Sequence, residues 1–229
     1  MFVRNFNRRA ELSFAALTLA CTTAFAGPPL ICQPFNIGNA QTISEKTRDV
    51  VNDTLGALKT ADSILARMET LRRATVRLDG DKSRAQQLLS RLAYIALDLD
   101  AGAQESGKPA EAAAAWFQAG YFAAGLQQMG IDIDWKPGVA EGIQGYAWVR
   151  RALKLAPDNA EMQFAAALMT HPAMSHSTAA LYEEHLKKAQ AGAAEGSLLK
   201  QNLAAHVERW AGQSGGQTKT DSATARGSR

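Results

Sequence analysis

Residues 109–129 read PAEAAAAWFQAGYFAAGLQQM, and this stretch decides the fold. Proline suits the first turn of a helix, where its missing N–H costs no intrahelical bond. Behind it, Trp116, Phe117, Tyr121, Phe122 and Leu126 are set among Ala112, Ala115, Ala119, Gly120 and Ala123. Both faces of the helix are therefore apolar or small, so this segment is expected to be the most buried element of the chain. Small residues let neighbouring helices come close, and the aromatic rings fill the gaps between them. Such a helix needs other helices around it.

The flanking sequence supplies them. Upstream, Ser44 is a candidate N-cap for a helix with Val50, Val51, Leu55 and Leu58 on one stripe. Thr60 or Asp62 can cap a second, with Ile64, Leu65, Met68, Leu71 and Val76 inward. Asp79-Gly80 is a turn signal. A third helix from about residue 81 carries Leu88, Leu89, Leu92, Ile95, Ala96 and Leu99. Downstream, Trp135-Lys136-Pro137-Gly138 reads as a loop, and helices are expected at about 139–155, 158–170, 177–191 and 195–211. Nowhere does a β-branched run alternate with polar residues, so strands are not expected. The fold class is all-α, with antiparallel helical hairpins filling a domain over 44–211.

The two ends read differently. Residues 1–26 have the form of a secretory signal peptide: Arg4, Arg8 and Arg9, an apolar stretch from Leu12 to Phe25, and Ala24-Phe25-Ala26 as a small-x-small cleavage site. Cleavage is expected after Ala26, giving a periplasmic or secreted protein without an integral membrane segment. Cys21 offers a minor alternative, acylation as a lipoprotein. Residues 1–26 hold Arg4, Arg8, Arg9 and Glu11, so the formal charge of +3 falls to +1 without them. No lysine or arginine run suggests a nucleic-acid partner. Residues 27–43 are proline-rich yet carry Leu30, Ile31, Phe35 and Ile37, too apolar for a free tail. An extended segment docked in a groove of the helical body is expected. Cys32 has no internal partner after cleavage and is expected to pack as a small hydrophobe, or else to bond to another chain. From residue 212 the composition turns to Gly, Ser, Thr and charge, the mark of a disordered tail.

Two resemblances follow from these residues. The run Tyr146-Ala147-Trp148-Val149-Arg150-Arg151-Ala152-Leu153-Lys154-Leu155-Ala156-Pro157 resembles the second helix of a tetratricopeptide repeat and its proline-terminated turn, with Ala152 and Pro157 at the repeat's alanine and proline positions. The Trp…Leu-Gly…Tyr pattern of the repeat's first helix is not matched, and 130–138 reads as an insertion. The resemblance implies a short curved solenoid of stacked hairpins. The opening Gly27 to Gly38, GPPLICQPFNIG, is similar to that of uncharacterised bacterial exported proteins whose mature chain begins GPPLIC-x-PF-x-IG. Residues 67–74, RMETLRRA, resemble a second stretch of that group. His and Asp are common in the group where this chain has Gln33 and Asn36, which removes ligand or acid–base groups from the segment. The resemblance implies a bacterial source and brings no activity with it.

Few residues carry a recognisable chemistry. No glycine-rich phosphate loop precedes a helix, and no cofactor is expected. Gly212-Gln213-Ser214-Gly215-Gly216 has the letters of a serine-hydrolase elbow but no strand before it and no histidine after it. Asp98 and Asp100 lie two apart on a helix and cannot share a face. His171, Met174 and His176 are a weak alternative metal set, with a spacing that matches no closed site. His185 and His206 read as separate surface or satisfied core residues. Arg67, Glu69, Arg72 and Arg73 read as a solvated face, with Glu69 able to pair at i+3 and i+4. The three arginines are the candidate partner-binding residues, since guanidinium forks suit carboxylates. Charge reversal at Arg72 and Arg73 is expected to spare the fold and abolish partner capture. The expected function is non-enzymatic binding of a protein or peptide. The rival reading is a metal-handling protein or enzyme using the His171–His176 loop.

Overall fold

The computed structural model describes residues 29–106, 108–131, 133, 145–173 and 176–214. The expected signal peptide, the loop at Trp135, the start of the helix placed at 139 and the tail beyond 214 lie outside these residues. Among the described residues the chain is all-helical, with eight α-helices and no strand: α1 Val50–Thr60, α2 Ile64–Arg77, α3 Lys82–Ser106, α4 Pro109–Gln128, α5 Gly145–Leu155, α6 Ala160–Met169, α7 Ala179–Gly192 and α8 Leu198–Ser214. None of these helices is long and apolar enough to cross a membrane.

The helix α4 is the hub. Every residue from Trp116 to Leu126 is buried, and α4 packs against α2, α3, α5 and α6. Its most extensive partner is α5, and two glycines set that distance. A Cβ on Gly120 would lie 2.6 Å from the Gly145 carbonyl oxygen, and one on Gly145 would lie 2.6 Å from the Ala124 nitrogen. No side chain fits there, so the backbones touch. Trp116 is buried edge-on to Trp148, centroids 6.1 Å apart, and the Arg151 guanidinium lies 4.6 Å over its ring. Arg151 is in turn held by Asp100.

Helix starts follow the capping rules at residues the sequence pattern places slightly wrong. Ser44 does not cap α1. Its hydroxyl accepts from Lys46 N within a turn, and Asp49 caps instead, accepting from Asn52 N at 3.1 Å. Ser63, not Thr60 or Asp62, caps α2 through Ala66 N. Glu161, from the first turn of α6, takes a second open amide of α2, Leu65 N, at 2.9 Å. Gly196, at φ +72, and Ser197, whose hydroxyl accepts from Lys200 N, delay α8 to Leu198. That helix also runs on to Ser214, so the hydrolase-like letters begin inside its last turns. Val76 and Ile95, expected inward, are 43% and 41% exposed. Val76 falls on the far side of the arc made by Leu71, Ala74 and Leu78. Ile95 sits at the margin of the arc centred on Ala85, Leu89, Leu92 and Ala96.

The segment before α1 has no helix and is pinned to the body as a strap. Leu30, Ile31, Phe35 and Ile43 are buried, with Phe35 edge-on to Phe164 of α6 at 6.2 Å. Cys32, expected to be buried, is exposed. Its flanking apolar residues take the inward positions, leaving the thiol outside.

Candidate functional site

Glu69 of α2 is wholly buried, not part of a solvated face. Its carboxylate accepts from Phe35 N at 3.1 Å, from Arg72 Nε and Nη2 at 2.7 and 2.8 Å, and from Arg73 Nε at 2.8 Å. Burial by itself would raise its pKa. The bonds from Arg72, Arg73 and the Phe35 amide outweigh that and hold the carboxyl below its ordinary value. Arg72 is raised by its bonds to Glu69, and its Nη1 donates to the Ile31 carbonyl at 3.1 Å. The expectation that this face is solvated is therefore corrected. The Arg72 side chain is only 15% exposed, and its fork is already filled by Glu69 and the strap. Arg67 donates to the Ala61 carbonyl at 2.8 Å, and burial lowers its pKa. Of the two arginines paired with Glu69, Arg73 is the more exposed, at 36% of its side chain.

The strap's other bonds are of the same kind. Leu30 N donates to Gln128 Oε1 of α4 at 3.0 Å. Asn202 of α8 grips Asn36 twice, accepting from its amide at 2.9 Å and donating to its carbonyl at 2.8 Å. Side chains from α2, α4 and α8 thus satisfy backbone groups that no secondary structure would satisfy.

The His171–His176 loop is described only at residues 171–173 and 176. His171 is buried, and its Nδ1 accepts from Ala173 N at 3.1 Å. Its ring packs on Trp210, Tyr182 and His206, with centroids at 4.0, 4.9 and 5.6 Å. Tyr182 Oη and His206 Nε2 are hydrogen-bonded at 3.1 Å. Burial pushes both histidines down to about 4, and for His206 the neighbouring His171 and Arg209 add to the effect. His176 opens a 3-10 turn over His176–Thr178, and Met174 lies outside the described residues. Among the described residues no three His, Cys, Asp or Glu side chains are placed to hold a metal ion.

Among the described residues, two grooves elsewhere offer space for a ligand. An open groove of about 820 Å3 runs between α5 and α7. Tyr146, Arg150, Leu153 and Lys154 line it from α5, Leu181, Glu184, His185 and Lys188 from α7, and Gln163 from α6. A second groove of about 540 Å3, beside the starts of α2 and α6, shares Asp158 and Gly192 with the first, so the two meet there.

A hydrogen-bond chain in the first groove has a fixed direction. Gln163 Nε2 donates to the Pro157 carbonyl at 3.0 Å, so its Oε1 is the acceptor. His185 Nδ1 lies 2.7 Å from that oxygen and must carry the proton. Burial lowers the His185 pKa and favours the neutral ring. Its Nε2 is then an acceptor for the Tyr146 hydroxyl at 2.8 Å. Sequence reasoning missed this trio because three separate helices supply it. The amphipathic run at 146–155 was the available signal.

No family model matches this chain, and comparison with curated proteins and with solved structures returns no match.

Proposed function

We propose that this chain is an exported, non-enzymatic binding module of the bacterial envelope, built from tetratricopeptide-like stacked hairpins, that holds a segment of a protein partner. The observation that carries the reading is the pair of adjoining open grooves across α5, α6 and α7. Stacked helix pairs generate long concave surfaces of this kind, and such surfaces suit an extended peptide. Support for the repeat-like construction comes from the packing of consecutive helices, α3 on α4, α4 on α5 and α6 on α7. The alanine position, Ala152, is fully buried, and Pro157 lies just past the end of α5. Export rests on the character of residues 1–26, with attachment through Cys21 as the minor alternative.

Site-specific photo-crosslinking tests the reading. A crosslinking amino acid at Leu181, on the groove wall, should trap a partner segment in the envelope of the source cell. The same probe at Tyr94, which is more exposed but outside both grooves, should not. Equal or absent crosslinking from the two positions would sink it.

A further inference from the structure

We propose that the α5–α7 groove selects an acidic peptide segment, with Arg150 and Lys154 receiving its carboxylates and the Tyr146 oxygen receiving one of its backbone N–H groups. The inference rests on the peptide-binding reading above and adds the chemistry of the ligand.

Charge is unevenly distributed across the groove. Arg150 and Lys154 lie four apart on α5, hence on one face of it, and both line the groove. Neither has an ion pair among the described residues. On the opposite wall Glu184 is occupied by Lys188 at 2.6 Å, an i,i+4 pair within α7. Asp158 stands at the far end, where the groove meets its neighbour, just ahead of the α6 N-terminus. The α5 wall therefore presents two cations without an ion-pair partner among the described residues, over an apolar surface contributed by Leu153, Pro157 and Leu181. Arginine in particular matches a carboxylate in a bidentate fork.

The hydrogen-bond chain also has a fixed direction. Gln163 forces the proton onto His185 Nδ1, and His185 Nε2 then takes the Tyr146 proton. Tyr146 has no donor left for a ligand, and its oxygen retains acceptor capacity. A ligand at the groove floor must bring a donor, while one at the α5 wall must bring negative charge. A peptide with Asp or Glu side chains brings both. A basic peptide would meet Arg150 and Lys154 as like charges, which disfavours it.

The test uses the full mature chain and three fluorescein-labelled peptides: Ala-Leu-Glu-Glu-Leu-Ala, its Gln-Gln twin and its Lys-Lys twin. The first is expected to bind about tenfold more tightly than the second at low salt, and to lose most of that margin at high salt. Arg150→Gln with Lys154→Gln should erase the margin while the circular dichroism spectrum stays unchanged. Lys59→Gln, on exposed α1 surface, should leave it intact. Tyr146→Phe should weaken both acidic and neutral peptides several-fold. Equal binding of the Glu and Gln peptides would overturn the acidic preference and leave the peptide-binding reading standing. Discrimination that survives the Arg150/Lys154 double variant would show that this groove is not its source, and also overturns the inference. Saturable binding of none of the three would remove the peptide-binding reading together with it.

Discussion

Two polar networks in this chain look alike locally and differ in how they end. On α2, the Glu69 carboxylate collects four donors from Arg72, Arg73 and the strap, and its arginine partner reaches on to Ile31. That network closes on the chain itself. On α5–α7, the run from Pro157 through Gln163 and His185 to Tyr146 stops at an oxygen in an open groove flanked by cations. Charged residues satisfied by their own chain hold a fold together. Those left over at a concave surface are the ones available to a partner. On that ground we propose the α5–α7 groove, rather than the arginines of α2, as the candidate binding site.

Acidification should give the largest effect. His171 and His206 have folded pKa values of about 4 against an ordinary 6.5. The unfolded chain therefore binds protons that the folded chain refuses. Their stabilising contribution is complete above pH 6.5 and is lost as pH falls toward 4, by up to about 3 kcal/mol each. Glu69 works in a lower window. Its depressed pKa contributes stability above the unfolded carboxylate value and loses it only as pH falls further. Urea midpoints at pH 7.5, 6.5, 5.5 and 4.5 should therefore drop progressively. A flat profile would mean that the two imidazoles are not held neutral in the core.

Next in size is Glu69→Ala. It would strand the Arg72 and Arg73 guanidinium groups and free the Phe35 amide, at a cost of about 3–5 kcal/mol by urea unfolding. A loss under about 1 kcal/mol would restore the solvated-face reading of α2. Charge reversal at Arg72 belongs to the same class, because it sets a second carboxylate beside Glu69. It should destabilise the fold, contrary to the sequence expectation.

Asn202→Ala should cost less, about 1–3 kcal/mol, since it leaves the Asn36 amide and carbonyl without their partner. Hydrogen exchange over residues 29–43 should accelerate while α4 remains protected. Exchange rising equally in both would show that strap and core unfold together.

The smallest effect is expected from Tyr146→Phe, about 0.5–1.5 kcal/mol by thermal melting, because one half-buried hydrogen bond is lost. A larger loss would place this trio with Glu69 among the elements that hold the fold, and would blunt the contrast between the networks.

Much of the architecture was legible from residue order. Trp116 to Leu126 is apolar or small on nearly every side, Gln118 excepted, and a central helix is the arrangement that hides all its faces. Leu30 and Phe35 could not be left in water whatever the strap's path. The caps of α1 and α2 were harder to place. Several Ser, Thr and Asp residues compete near each start, and local turns such as Ser44–Lys46 take some of them. Glu69 was misjudged for a deeper reason. The spacing Glu69, Arg72, Arg73 is the same whether the face is wet or covered, and its cover arrives from Phe35, far away in sequence.

By itself, then, the sequence determined the helical class, the central place of α4 and the need to bury the segment before α1. These follow from periodicity and from the cost of exposing apolar surface, which are properties of neighbouring residues. Only the tertiary structure decided which charges are spent and which remain. Glu69 is closed by a segment 34 positions away, and Tyr146, Gln163 and His185 meet from three helices. Hydrogen bonds and ion pairs act over a few ångströms, and chain order does not state which distant residues come that close.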